Sequence, residues 1–212
     1  MYTRWVAVAM IALLVGSHVD AAEPAKKEVA PSLEFTLEID GKSVEIVAGE
    51  KTTANVGGKD VVIKLVPKPD RLFKADGISF RFPREFNYAV DRETPAIAIH
   101  TFTGDDTTLM IQRMNQPLDP AQFHKLLIDG LVAQFGDKTK VEPVKLTLNG
   151  REFTGTRLLV TAAGQSIRQD IFTFKAGGNP CALLIQVTGG KGDSAETKAT
   201  VELLDKTLQV AP

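Results

Sequence analysis

The sequence predicts an α+β fold: an antiparallel β-sheet of about six strands flanked by helices, preceded by a small N-terminal β-meander. Three observations predict it. Strand-like runs are interrupted by only two helical segments, in the order strands, helix, strands, helix. Asp-Gly and Asn-Gly turn pairs join neighbouring runs over a few residues, which makes those runs antiparallel. The breaker "PKP" at 67–69 separates a first group of short strands from the rest, because proline cannot donate to a ladder.

The N-terminus reads as an export signal. Arg4 precedes the unbroken apolar run "VAVAMIALLV", residues 6–15, and small residues follow. The run is too short to span a bilayer core, which needs roughly 20 apolar residues. Cleavage after Ala21 places Val19 and Ala21 at the −3 and −1 positions. No cysteine follows the run, so no lipoprotein anchor is expected, and no later stretch is apolar and long enough to span. The expected organisation is a signal peptide over 1–21 and a flexible leader over 22–32. A meander over 33–68 follows, packed on a main domain over 71–212. The mature protein is expected to be soluble and exported, to the periplasm or the exterior.

In the first strand group, "LEFTLEID" places Leu33, Phe35, Leu37 and Ile39 on one face and acidic or polar residues on the other. Asp40-Gly41 suits a tight turn, and "SVEIV" returns. A second hairpin turns at Gly57-Gly58. The main domain opens with the strand "GISFRFP", 77–83. "AIAIHTF" and "TLMIQRM" form a hairpin around Gly104-Asp105-Asp106. Asp119 caps a helix with Pro120 at its first position and Gln122 placed to close a capping box. Phe123, Leu127, Leu131 and Phe135 form its apolar stripe, and Gly136 stops it. Gly130 sits in mid-helix at a cost of about 1 kcal/mol relative to alanine, which close packing would explain. "VKLTL", "REFTGTRLLV", "QSIRQDIFTF" and "CALLIQV" follow as strands on short turns. A final helix over about 194–209 turns Val201, Leu204 and Leu208 inward.

Composition excludes several functions. The net charge of −1 lacks the basic footprint of a nucleic-acid binder. Trp5 and Tyr2 leave with the signal, so Tyr88 is the one tyrosine of the mature chain. That scarcity argues against stacking platforms for sugars or bases. The lone cysteine, Cys181, rules out an internal disulfide and reads as a buried core residue with an unreactive thiol.

The loop "GGKGDS", 189–194, raises the question of phosphate binding, and the expectation is that it binds no nucleotide. Lys191 is followed by glycine rather than serine or threonine, so the phosphate-loop spacing fails. Asp193 and Glu196 stand where a phosphate would sit at the helix N-terminus, as an acidic capping box. His100 and His124 have no nearby histidine or cysteine, and no metal site or cofactor is expected. Ser166 and Ser194 sit in polar turns outside any nucleophile-elbow pattern. Asp105-Asp106 and Asp91-Arg92-Glu93 read as solvated turn formers without the spacing of a calcium loop. No catalytic or ligand-binding residue is assigned.

The stretch from about Arg71 to Val210 resembles the PsbP-like and DcrB-like superfamily. The features that carry it are "RLFKADGISFRFP", the helix "DPAQFHKLLIDGLVAQF", the run "NGREFTGTRLLV…IRQDIFTF…CALLIQVTG" and a closing helix. The resemblance implies an α/β/α sandwich with a six- or seven-stranded antiparallel sheet, and mostly non-catalytic members. These include accessory subunits of photosystem II, exported envelope proteins and adaptors for secreted effectors. There is no shared catalytic motif, so no residue role is carried over. The added N-terminal strands and the missing anchor cysteine depart from the pattern.

The expectation is therefore an exported, non-catalytic binding or accessory protein with an unknown protein partner. The alternative is a secreted hydrolase with a dispersed site. An exposed apolar patch favours the first. A deep pocket holding a histidine–carboxylate pair favours the second.

Overall fold

The computed structural model describes residues 33–211, except 137, 138, 163, 190 and 191. The expected signal peptide and leader lie outside the described residues, as do Gly190 and Lys191 of the glycine loop. The chain divides into two compact units, with the boundary between Pro69 and Asp70.

The described part of the first unit is two hairpins. Strands β1 (Glu34–Ile39) and β2 (Lys42–Val47) pair in one sheet, and β3 (Lys51–Val56) and β4 (Lys59–Lys64) in another. Asp40 and Gly41 take φ of 49° and 75°, the left-handed pair that a tight hairpin turn requires. The bond from Gly49 N–H to Leu65 C=O, at 2.8 Å, carries the β3–β4 pairing past the strand ends. Ile46 and Ala54 are buried. Leu33 and Phe35, expected on an inward face, are 46% and 41% exposed.

The second unit is built on a seven-stranded antiparallel sheet in the order β10-β11-β12-β13-β9-β8-β7. Its strands are β7 (Asn87–Asp91), β8 (Ile97–Thr103), β9 (Thr107–Met114), β10 (Lys140–Leu148), β11 (Arg151–Ala162), β12 (Gln165–Ala176) and β13 (Asn179–Thr188). The continuous apolar run "CALLIQV" lies mid-sheet. Cys181, Leu183 and Ile185 enter one core cluster, while Ala182 and Leu184 enter the other. Both faces being covered explains why that strand shows no polar alternation.

Helix α1 (Pro120–Phe135) covers one face. Asp119 Oδ1 accepts from Ala121 N–H at 2.8 Å, and the Gly136 N–H closes the end on Val132 C=O. Phe123, Leu127 and Leu131 pack on Leu158, Ile171 and Leu184.

The other face departs from the expectation. A six-stranded sheet between helical layers was expected, as in an α/β/α sandwich; the described chain is mostly β-strand with two helices. Here the roof combines helix α2 (Ala195–Thr207) with a three-stranded sheet of β5 (Asp70–Ala75), β6 (Ile78–Pro83) and β14 (Gln209–Val210), ordered β14-β6-β5. Phe73, Phe80 and Phe82 of this small sheet meet Phe102 at centroid distances of 5.1, 5.2 and 4.6 Å. These rings occupy space that a second helical layer would need. Strands β5 and β7 escaped the sequence reading because "DRLFKA" and "NYAVD" are short, mixed in polarity and placed at sheet edges.

Candidate functional site

One chain of polar side chains in the second unit joins Tyr88, His100, Asp76 and Arg113. Strand alternation places His100 on the same face of β8 as Phe102, and only 2% of His100 is exposed. Its Nδ1 lies 2.9 Å from the Tyr88 hydroxyl on neighbouring β7, and the two rings stack at 6.1 Å. Phe73 closes over it edge-on at 5.0 Å. Its Nε2 lies 3.6 Å from Asp76 Oδ2, and Arg113 Nη1 donates to Asp76 Oδ1 at 2.6 Å. Burial pushes the His100 pKa below the ordinary histidine value against the attraction of Asp76, while Arg92 pushes the same way as burial. His100 is therefore neutral at neutral pH.

Asp76 reaches this position because it forms the tip of the β5–β6 hairpin. Its φ is 55°, a left-handed value that aspartate tolerates better than most residues. Gly77 follows, pressed on the β12–β13 turn: a Cβ there would lie 2.8 Å from Gly177 N. The Gly77 carbonyl accepts from Ala211 N–H at 2.8 Å, and Gly177 N–H donates to Ala211 C=O at 3.3 Å. The tip thus joins β6, β14 and the main sheet.

Cys181 lies opposite Arg113 in the β13–β9 ladder and is fully buried. Burial raises its thiol pKa to about 11, against the pull of Arg113. A protonated, sealed thiol is not a nucleophile.

A cleft of about 570 Å³ opens beside the tip, lined by Lys74, Asp76, Ser79, Gln209 and Val210 among others. It holds the histidine–carboxylate pair on one side only. Asp76 lines the cleft, but His100 does not. A smaller cleft of about 270 Å³ lies between Arg151, Phe153 and Leu208.

His124, on α1, packs onto the opposite face of the sheet. Its Nε2 lies 2.8 Å from Thr156 Oγ1, and burial lowers its pKa. Among the described residues no three histidine, cysteine, aspartate or glutamate side chains are grouped to hold a metal ion. No helix of the described residues is long and apolar enough to cross a membrane.

The acidic residues of the glycine loop have specific partners. Ser194, not Asp193, caps α2, its Oγ accepting from Thr197 N–H at 3.0 Å. Asp193 pairs with Arg168, which also approaches the buried Asp170 at 3.5 Å. Glu196 accepts from the backbone N–H groups of Asp105, Asp106 and Thr107 at 2.9, 3.1 and 2.8 Å. Asp106, expected to be solvated, accepts from Thr107 Oγ1 and Ser194 Oγ. Asp91 is a local turn former, its Oδ1 taking the Glu93 N–H at 2.8 Å.

Sequence reasoning noted His100 and Tyr88 singly but missed Asp76 and Arg113. The four span residues 76–113 with no local spacing in common. The available signal was the turn pair Asp76-Gly77 before "ISFRF" and the inward phase of His100 beside Phe102.

No protein-family model and no curated protein sequence matches the chain. Among solved structures, the chain is similar to the crystal structure of LpqN, involved in cell envelope biogenesis of Mycobacterium tuberculosis. The TM-score is 0.41 and the identity 12%, over 77% of this chain and 91% of that one. At that level of similarity no residue role passes from LpqN to this chain.

Proposed function

We propose that the chain is an exported, non-catalytic binding or accessory protein that acts through protein–protein contacts in the periplasm or outside the cell. The carrying observation is where exposed apolar side chains concentrate. Leu33, Phe35, Val61, Val62 and Val66 all fall in the short N-terminal hairpin unit, with Val62 63% and Val66 70% exposed. Apolar side chains exposed at this density in one small unit point to a partner more than scattered single ones do. The buried groups support the same reading. His100 and His124 are hydrogen-bonded inside the fold, and Cys181 is sealed, so the residues best suited to catalysis are engaged structurally. The PsbP-like and DcrB-like resemblance of the sequence implies an accessory role as well.

The test is affinity capture from the exporting cell with the mature chain and with a Phe35→Asp, Val62→Asp variant. A partner retained by the first and lost by the second, at unchanged melting temperature, supports the proposal. Equal capture by both removes the hairpins from the interface. Hydrolysis of ester or peptide substrates that vanishes in His100→Gln replaces the proposal with the hydrolase reading.

A further inference from the structure

The N-terminal unit separates its charge. Residues 33–50, which build the β1–β2 hairpin, hold five carboxylate side chains and one lysine, a net charge of −4. Residues 51–68, which build β3–β4, hold four lysines and one aspartate, a net charge of +3. Strand alternation sorts these groups by face. Glu34, Thr36 and Glu38 share one face of β1, and Thr36 stands opposite Glu45 on β2, whose carboxylate accepts the Thr36 hydroxyl at 2.8 Å. That face carries three exposed carboxylates, while Lys42 pairs with Ile39 on the other face. On β3–β4, Lys51 stands directly opposite Lys64, with Val62 next along the same face, opposite Thr53. The one carboxylate of that face, Asp60, is held by the Asn55 amide at 3.0 Å.

Like charges directly opposite on neighbouring strands are destabilising. Among the described residues none of Glu34, Glu38, Glu45, Lys51 and Lys64 forms an ion pair. Each hairpin thus presents a like-charged face, and the charge that would relieve it is the charge of the other hairpin. An anionic surface would attract β3–β4 and repel β1–β2 beside it. A partner for both faces carries acid and base in the same arrangement, and a second copy of the chain does so by construction. Under a two-fold axis β1–β2 of each copy meets β3–β4 of the other, so the opposite charges meet twice and the assembly closes at two. Val62, 63% exposed on the basic face, supplies apolar contact between them.

We propose that the N-terminal hairpin unit pairs with the same unit of a second copy, acidic β1–β2 face on basic β3–β4 face. This names a partner for the surface described under the proposed function and rests on that reading. A two-stranded face six residues long measures about 20 Å by 10 Å, so the pairing buries about 800 Å² over both copies, the size of a weak and transient contact.

Sedimentation velocity on the mature chain, from about 10 µM to 1 mM, tests this in the range of a weak contact. It should show a monomer–dimer equilibrium whose association constant falls about tenfold or more between about 50 and 500 mM salt. That series needs no variant. Lys51→Glu with Lys64→Glu makes the basic face acidic, and Glu34→Lys with Glu38→Lys makes the acidic face basic. Each double variant alone should stay monomeric at an unchanged melting temperature, and an equimolar mixture of the two should dimerise. A wild-type monomer at the highest concentration in low salt, association that salt does not weaken, growth past the dimer, dimers of either variant alone, or a mixture that stays monomeric would each overturn the pairing. A monomeric chain whose captured partner is lost in Phe35→Asp, Val62→Asp overturns the pairing alone, and a monomeric chain that captures nothing overturns the partner-surface reading with it.

Discussion

Glu196, in the first turn of α2, accepts the Thr107 backbone N–H at 2.8 Å, across 89 positions of sequence. The same carboxylate takes the two preceding amides, so one side chain binds the helix to the tip of the β8–β9 hairpin. Its place at the positive end of the helix dipole favours the charge that makes these bonds strong.

Replacing Glu196 with alanine should therefore cost about 1.5–3 kcal/mol, the range for hydrogen bonds to a charged group. Glu196→Gln should cost part of that, because its NH2 group cannot accept. Urea denaturation measures both. An Ala variant as stable as wild type would mean that water replaces the carboxylate at no cost.

Two glycines should respond to alanine with opposite sign. A Cβ at Gly130 meets nothing within 4 Å, so close packing does not explain that glycine. Gly130→Ala should gain about 0.5–1 kcal/mol from helix propensity. A Cβ at Gly155 would lie 2.2 Å from the Ile171 carbonyl oxygen in the paired strand. Backbone cannot yield as a side chain does, and Gly155→Ala should cost about 1–3 kcal/mol. Melting temperatures of the two variants check the pair together.

Cys181 should resist a thiol reagent in the native state at neutral pH. It is 0% exposed and its pKa is about 11, so the reactive thiolate is scarce as well as hidden. Labelling should run at the rate of unfolding and accelerate with urea. Rapid labelling without denaturant would contradict this burial.

The depressed pKa values of His100 and His124 make the fold acid-sensitive. Above the unfolded value of 6.5 both states are neutral and stability is complete. As pH falls below it, the unfolded chain takes up protons that the folded chain refuses, so stability drops until the folded values are passed. The melting temperature should fall from pH 7.5 to 5.5, and by less in His124→Gln. An unchanged slope in that variant would remove His124 from the effect.

ATP should not bind saturably at 189–196. Asp193 and Glu196 stay at the entrance of α2, held by Arg168 and by the hairpin amides, and Ser194 takes the cap. Isothermal titration with ATP should give no saturable heat, and Lys191→Ala should change nothing. A binding isotherm lost in that variant would refute it.

The sequence by itself determined the elements whose signals are local. The Asp119-Pro120 start, the four-residue stripe to Leu131 and the Gly136 stop define α1, because capping and periodicity act within a few residues of chain. The Asp40-Gly41 and Asn149-Gly150 turns were legible for the same reason. The burial of Cys181 followed from a run apolar on both faces. Tertiary structure decided what depends on distant partners. Whether Asp193 or Ser194 caps α2 is settled by distant partners: Arg168 takes the Asp193 carboxylate, and Asp106 accepts from the Ser194 hydroxyl whose oxygen caps the helix. A three-stranded sheet lies where a helical layer was expected, because Phe73, from the short and mixed β5, joins Phe80 and Phe82 of the expected strand at 77–83 in packing on Phe102. The chain from Tyr88 through the buried His100 to Arg113 has no sequence signature, because it forms only where β5, β7, β8 and β9 converge. There one carboxylate, Asp76, meets both the His100 imidazole and the Arg113 guanidinium.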